Sequence, residues 1–312
     1  VITDILLIQP VPDLIDSALK DRYRVHRWYD MADREAFLAT GAAGIQAVVT
    51  GGSFGLPNSI MDRLPALKIV AISGIGTDAV DLARARDRGI HVTTTPGVLT
   101  DDVADMAMGL MMMTLRDLVT GDRLVRAGQW GSVTQPLAVR VTGKRLGIVG
   151  LGQVGHAIAQ RAQAFAMPVR YHSRRPRPES GYRYVDNLIA LAQESDILVV
   201  AASADSQQAI ITADVLRSLG PQGYLINVAR GKLVDEEALI AALDQGQIAG
   251  AGLDVFASEP HVPAALLAHP GVVVQPHRAS ATRETRLAMG EIVLQNLAAC
   301  AAGQRPPTSV TG

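Results

Sequence analysis

Six residues constrain this chain more than any others. Gly150-Leu151-Gly152-Gln153-Val154-Gly155 follows the apolar run Leu146–Val149, which reads as a strand, and opens a helical period from Val154 to Phe165. Strand, tight turn and helix in that order make a βα unit whose helix N-terminus turns oriented N–H groups toward an anion. Gly150 permits the turn, Gly152 lets the backbone approach a pyrophosphate, and Gly155 lets helix and strand pack closely. A glycine-rich turn without a ligand is the alternative reading. The strand before and the helix after favour a dinucleotide site made by all six residues.

The same alternation runs along the rest of the chain. Short apolar runs at Ile5–Ile8, Ala47–Val49, Ile69–Ile72 and His91–Thr93 read as parallel strands separated by helical periods, closing at the turn Thr95-Pro96-Gly97. A second series comprises Lys144–Val149, Val169–Tyr171, Ile197–Val200, Tyr224–Val228, Ala249–Leu253 and Val272–Val274. Between the series, Asp101 to Ala127 reads as one long helix with a Met-rich face, and roughly Thr282 to Ala301 reads as a final helix with no sheet of its own. The expectation is α/β: two doubly wound parallel-sheet domains with a cleft between them. The first is expected over 1–97 plus 285–312, the last helix returning to it; the dinucleotide-binding domain is expected over 98–284.

Composition narrows the partners. With 312 residues, 48% hydrophobic and 19% charged, the chain can bury large cores, and a formal charge of −1 gives no field to gather nucleic acid or an anionic membrane. Small molecules are the expected partners. The start, Val1 to Ile8, reads as a buried strand rather than a signal peptide, and Met106 to Leu115 is too short to span a bilayer. The single cysteine, Cys300, excludes an internal disulfide; in its apolar helical setting it reads as an inert thiol in a reducing cytoplasm. The seven histidines show no metal-ligand spacing.

Two places carry further chemistry. Where a Rossmann unit ends its second strand with an acid for the adenine ribose, this chain reads Tyr171-His172-Ser173-Arg174-Arg175. A hydroxyl and two guanidiniums replace the acid, which points to the 2′-phosphate of NADP(H) on Ser173, Arg174 and Arg175, with His172 as a wall; a solvated basic turn is the alternative. The second place lies beyond three later strands: Arg230 in Asn227-Val228-Ala229-Arg230-Gly231, Glu259 in Asp254-Val255-Phe256-Ala257-Ser258-Glu259, and His277 in Gln275-Pro276-His277. An Arg can hold a carboxylate and polarise a carbonyl, and a His beside a Glu can deliver the proton that accompanies a hydride. Singly, each has a structural explanation: a helix-flanking charge, a turn residue before Pro260, a satisfied loop histidine.

Taken together these motifs resemble the D-specific 2-hydroxyacid dehydrogenase family over essentially the whole chain. The resemblance includes Thr95–Asp102 at the domain crossing, Arg126–Trp130, the glycine loop, Asn227–Gly231 and Gly252–Phe256. It implies a flavodoxin-like substrate domain beside a Rossmann cofactor domain, a homodimer, and hydride transfer to C2 of a small 2-keto acid with Arg230, Glu259 and His277 catalytic. It also implies that Gly51, Gly52, Ser53 and Gly74, with Arg230 and His277, contact the substrate. Val228, Ala229 and Asp254 then lie on the cofactor, Asp254 alternatively capping its turn. Within the family the Ser-Arg-Arg turn resembles the NADPH-using glyoxylate and hydroxypyruvate reductases. Two departures stand out: Arg278-Ala279 where relatives carry a small apolar residue and Gly, and a loop, 201–207, without the proline usual beside the cofactor. Trp130 and Leu99 are candidate walls of the substrate pocket. A phosphoglycerate dehydrogenase would be expected to carry an added regulatory domain, and Glu259 argues against a formate dehydrogenase. The alternative in a different class is a non-catalytic NADP(H)-sensing interaction protein.

Overall fold

The computed structural model describes residues 2–203 and 208–311, so residues 204–207 of the proline-less loop lie outside the described residues. The chain divides into two compact units, Val1–Leu99 with Ala281–Gly312, and Thr100–Ser280. Both are parallel α/β sheets.

The first unit carries β1 (Asp4–Leu7), β2 (Arg24–Arg27), β3 (Ala47–Gly51), β4 (Ile69–Ser73) and β5 (His91–Thr93), in the order β2-β1-β3-β4-β5. That is the flavodoxin-like order, and its direction of winding reverses between β1 and β3. Helices cover both faces, so the central strands are buried on both sides and read as unbroken apolar runs: all five residues of β3 are buried. β2, Arg-Val-His-Arg, gives no apolar signal because it is an edge strand pairing with β1 alone; its His26 Nε2 lies 2.9 Å from Asp4 Oδ1. The helix Arg283–Ala301, capped by the Thr282 hydroxyl, packs Val293 and Leu297 into one core with Ile5, Leu7 and Val49. Gly290 makes that approach close, since a Cβ there would meet Ile15.

The second unit carries β6 (Leu146–Val149), β7 (Val169–His172), β8 (Arg183–Tyr184), β9 (Ile197–Val200), β10 (Tyr224–Asn227), β11 (Gly250–Leu253) and β12 (Val272–Val274). Their order, β12-β11-β10-β9-β6-β7-β8, is that of a Rossmann sheet, reversing between β6 and β9. β8 escapes sequence reading because it is a two-residue edge.

The expected single helix from Asp101 to Ala127 is two: Thr100–Leu115 and Leu118–Arg126. Asp117 breaks it by adopting φ 50, ψ 41, a left-handed conformation that Asp tolerates better than most residues. Gln135 Nε2 fixes the break by donating to the Asp117 carbonyl at 3.1 Å and to its Oδ2 at 2.9 Å. The first helix buries Val103, Ala104, Ala107, Met108, Leu110 and Met111, so Met108 and Met111 of its methionine-rich surface are core while Met106, Met112 and Met113 are half-buried. It packs on the helix Gln153–Ala164 and on β11, where a Cβ on Gly252 would lie 3.1 Å from Leu110 Cβ. Among the described residues, no helix is long and apolar enough to cross a membrane.

Candidate active site

The glycine turn sits at the β6/β9 reversal, where doubly wound sheets bind ligands beyond their strand C-termini. Gly150 adopts φ 94, and a Cβ on it would lie 2.5 Å from the Ala202 Cα across the reversal. Gly155, in the first turn of Gln153–Ala164, would drive a Cβ into the Gly150 carbonyl oxygen. Around Gly152, the residue capping that helix, a Cβ would meet nothing within 4 Å. Two glycines therefore allow close packing, and the third leaves open space at a twelve-residue helix N-terminus. That is the cradle a pyrophosphate requires. Leu151 turns its side chain into the core, 2% exposed.

Beyond β7 the chain turns at Ser173, Arg174 and Arg175, both arginines exposed. Two phenols shape this turn: Tyr171, wholly buried, accepts from the Arg177 N–H at 2.7 Å, and the Tyr184 hydroxyl donates to the Ser173 carbonyl at 3.3 Å. The Ser173 hydroxyl donates to the Arg175 carbonyl at 2.6 Å. His172 is a structural wall, its Nδ1 donating to the Val185 carbonyl at 2.9 Å while its ring stacks on Tyr184. The donor set fits a phosphate, since cations project to solvent from a backbone fixed on the protein side.

Arg230 stands just beyond β10 on a turn that Asn227 holds. The Asn227 amide, 1% exposed, donates to the Arg230 carbonyl and accepts from the Ala229 N–H, both at 3.0 Å. Gly231 allows the chain to pass against the Phe256 backbone, which any Cβ would strike. Val228 and Ala229 are buried beneath the turn.

Glu259 and His277 meet. His277 Nδ1 lies 2.7 Å from Glu259 Oε2; a carboxylate there only accepts, so Nδ1 carries the hydrogen and Nε2 is the ring nitrogen that Glu259 does not engage. Glu259 Oε1 accepts from the Phe256 N–H at 3.1 Å. Burial works to raise the Glu259 carboxyl, but the His277 hydrogen bond, the Phe256 N–H and the nearby charges of His277 and Arg230 outweigh it. The group is held below its ordinary value and is a carboxylate at neutral pH.

The His277 turn is held by the end of β11. His277 adopts φ 48, which costs roughly 1–2 kcal/mol in a residue with a Cβ. Asp254, wholly buried, offsets that cost: its Oδ1 and Oδ2 accept from the Arg278 and Ala279 N–H groups, each at 2.9 Å, and its carbonyl accepts from the His277 N–H at 2.8 Å. Burial raises the Asp254 carboxyl despite those two bonds. Its carboxylate is thus engaged in shaping the turn. The turn-holding role of Asp254 is one of the two expected from the sequence, whereas that of Asn227 is absent from it; its only signal is a polar residue ending an otherwise apolar strand. Arg278 is exposed, as is Trp130 at 82%, whereas Leu99 is buried.

In the first unit, Gly51 ends β3 and Gly52 and Ser53 follow it, and Gly74 follows β4. The loop is tied back by the Gly55 N–H on the Gly51 carbonyl and by the Thr50 hydroxyl on the Gly55 carbonyl at 2.7 Å. A Cβ on Gly74 would lie 3.4 Å from the Gly52 nitrogen, so the two glycine segments are neighbours.

Comparison with known proteins settles the family. Residues 108–279 match the model of the D-isomer specific 2-hydroxyacid dehydrogenase NAD binding domain. A 2-ketogluconate reductase of Gluconobacter oxydans is 45% identical over 297 residues, covering 95% of this chain and 94% of that one. The chain belongs to the D-isomer specific 2-hydroxyacid dehydrogenase family. Among its relatives in that family, glyoxylate/hydroxypyruvate reductase A of Arabidopsis thaliana is 42% identical over 98% of both chains. An NADPH-dependent glyoxylate/hydroxypyruvate reductase of Sinorhizobium meliloti, solved with NADP and malonate, superposes with a TM-score of 0.90 at 41% identity, covering 99% of this chain and 96% of that one. The chain is accordingly an oxidoreductase of 2-keto and 2-hydroxy acids with a dinucleotide-binding domain.

Proposed function

We propose that this dehydrogenase reduces a small 2-keto acid, such as glyoxylate or hydroxypyruvate, with NADPH and a proton to the D-2-hydroxy acid and NADP+. The observation that carries the reading is the 2.7 Å hydrogen bond from His277 Nδ1 to Glu259, set one strand from Arg230. When bound, NADPH supplies the hydride that adds to the keto carbon. Gly150 to Gly155 would hold its pyrophosphate, Ser173, Arg174 and Arg175 its 2′-phosphate, and Val228, Ala229 and the Asp254 turn would flank its nicotinamide end. Arg230 pairs with the substrate carboxylate and polarises the keto oxygen. His277 gives that oxygen the proton on Nε2, and Glu259 stabilises the doubly protonated ring beforehand. Gly51, Gly52, Ser53 and Gly74 are read as backbone contacts to the substrate carboxylate. The Sinorhizobium relative crystallised with NADP supports the choice of cofactor.

A homodimer in a reducing cytoplasm belongs to the same reading. Leu118, Val125, Trp130, Val133 and Leu137 stay exposed along one stretch, an apolar surface suited to a second copy, and burial pushes the lone Cys300 thiol up toward inertness. The test is oxidation of NADPH and NADH, followed by absorbance, with glyoxylate, hydroxypyruvate, pyruvate and 2-ketogluconate. NADPH-selective turnover is expected. Cofactor binding without turnover of any acid would point to the sensing role instead.

A further inference from the structure

β11 ends at Leu253, and the loop beyond it carries both Asp254 and Glu259. Two successive backbone N–H groups of that loop each end on a carboxylate. The Phe256 N–H donates to Glu259 Oε1 at 3.1 Å, while Glu259 Oε2 lies 2.7 Å from His277 Nδ1. The Ala257 N–H, next along the chain, donates to Glu236 Oε1 at 2.7 Å, the short distance of a charge-assisted bond. Glu236 comes from a different element. It is the first residue of the helix Glu236–Asp244, whose N-terminus is already capped by Asp235 accepting from the Ala238 N–H. The Asp235 carboxylate serves the helix end, and the Glu236 carboxylate is spent on the loop.

The Ala257 N–H belongs to the peptide unit joining Phe256 to Ala257, which moves as one plane. That plane also lies against Gly231, where a Cβ would strike the Phe256 carbonyl and the Ala257 nitrogen. Packing on Gly231 blocks movement in one direction only, whereas the bond to Glu236 holds the plane in place. The Phe256 side chain, 7% exposed, is fixed in the core with Leu253 and Leu266. With its side chain and the following peptide plane both held, the backbone at Phe256 aims its own N–H at Glu259 Oε1. Releasing Glu236 frees the plane, and with it the direction of the N–H that orients the Glu259 carboxylate.

We propose that Glu236 is a positioning residue for the proton path, fixing the Phe256–Ala257 peptide and through it the Glu259 carboxylate on His277. This rests on the reading that Glu259 and His277 deliver the proton. The experiment measures kcat and KM for glyoxylate with NADPH in wild type, Glu236→Ala, Glu236→Gln and Glu259→Gln, and adds Glu236→Ala in the Glu259→Gln background. Glu236→Ala should lower kcat about fivefold, the order of one hydrogen bond expressed as rate, with KM little changed. Glu236→Gln loses the charge but keeps an oxygen that accepts from Ala257, so its kcat should stay within about twofold of wild type. In the Glu259→Gln background the link to the Phe256 N–H is already disturbed, and Glu236→Ala should cost under about twofold more. An unchanged kcat in Glu236→Ala overturns the proposal. So does an equal loss in both backgrounds, or a Glu236→Gln enzyme as slow as Glu236→Ala, since either leaves only a structural acid at the start of a helix. A Glu259→Gln enzyme as fast as wild type removes the proton path itself, and the proposal with it, which tells the two failures apart. Should Glu236→Ala fail to fold by thermal melting, Glu236→Asp keeps the charge in the first turn but is one methylene short of Ala257, and is read in the same way.

Discussion

Replacing Glu259 with Gln isolates the pair at the centre of the site. The amide keeps the size of the carboxylate but cannot accept at both ends. If its oxygen stays on His277 Nδ1–H, its NH2 faces the Phe256 N–H, donor against donor. If it turns round, the NH2 meets Nδ1 and the ring can no longer carry hydrogens on both nitrogens. The hydrogen bond that is lost spans 2.7 Å, within the charge-assisted range, and such bonds are worth about 1.5–3 kcal/mol. Because the carboxylate supports the protonated ring that delivers the proton, this falls on the chemical step, and kcat should drop on the order of 10- to 150-fold. NADPH binding should be unchanged, since the glycine turn and the Ser173–Arg175 turn contact neither residue. Steady-state NADPH oxidation with glyoxylate, beside a fluorescence titration of NADPH, reads both. A kcat within twofold of wild type would refute the assignment of the proton path.

The same carboxylate predicts an acid-stability difference. Held below its ordinary 4.5, Glu259 contributes stability fully present above that pH and lost as pH falls through its lower native value. The gap in stability between wild type and Glu259→Gln should therefore close below about pH 4.5 in urea melts; Asp254, raised chiefly by burial and in smaller part by the Glu259 charge, acts in the opposite sense, and only that smaller part differs between the two proteins. Gly155→Ala should weaken NADPH binding and lower the melting temperature, because its Cβ meets the Gly150 carbonyl and backbone must shift, at a cost of about 1–3 kcal/mol. Ser173→Asp with Arg174→Ala should move preference toward NADH, since an anion would face the 2′-phosphate; an unchanged NADPH to NADH ratio would remove that turn from cofactor recognition.

The residues differ in how plainly they declare themselves. The glycine turn is legible because its three glycines answer local demands, a positive φ, an open approach and a close packing, and the strand and helix beside it are apolar in the right periods. Central strands such as Ile197–Val200 are legible for the same reason, being buried on both faces. β2 and β8 are not, because an edge needs no apolar run, and the break at Asp117 is hidden because Gln135, eighteen residues on, helps to hold it. The His277–Glu259 pair is legible from its residue types in order, a His expected beside a Glu; its 2.7 Å geometry and the ring nitrogen it engages are not. What arms it, the Asp254 carboxylate on two N–H groups and Asn227 beneath Arg230, depends on neighbours brought together by the sheet.

The central claim is hydride transfer from NADPH to C2 of a keto acid on the face that yields the D product. The most direct measurement is to supply NADPH deuterated at the transferring position of the nicotinamide with hydroxypyruvate, then locate the label and determine the configuration of the product. Deuterium at C2 of D-glycerate is the predicted result. Unlabelled glycerate, the L product, or no product despite bound NADPH would contradict the account.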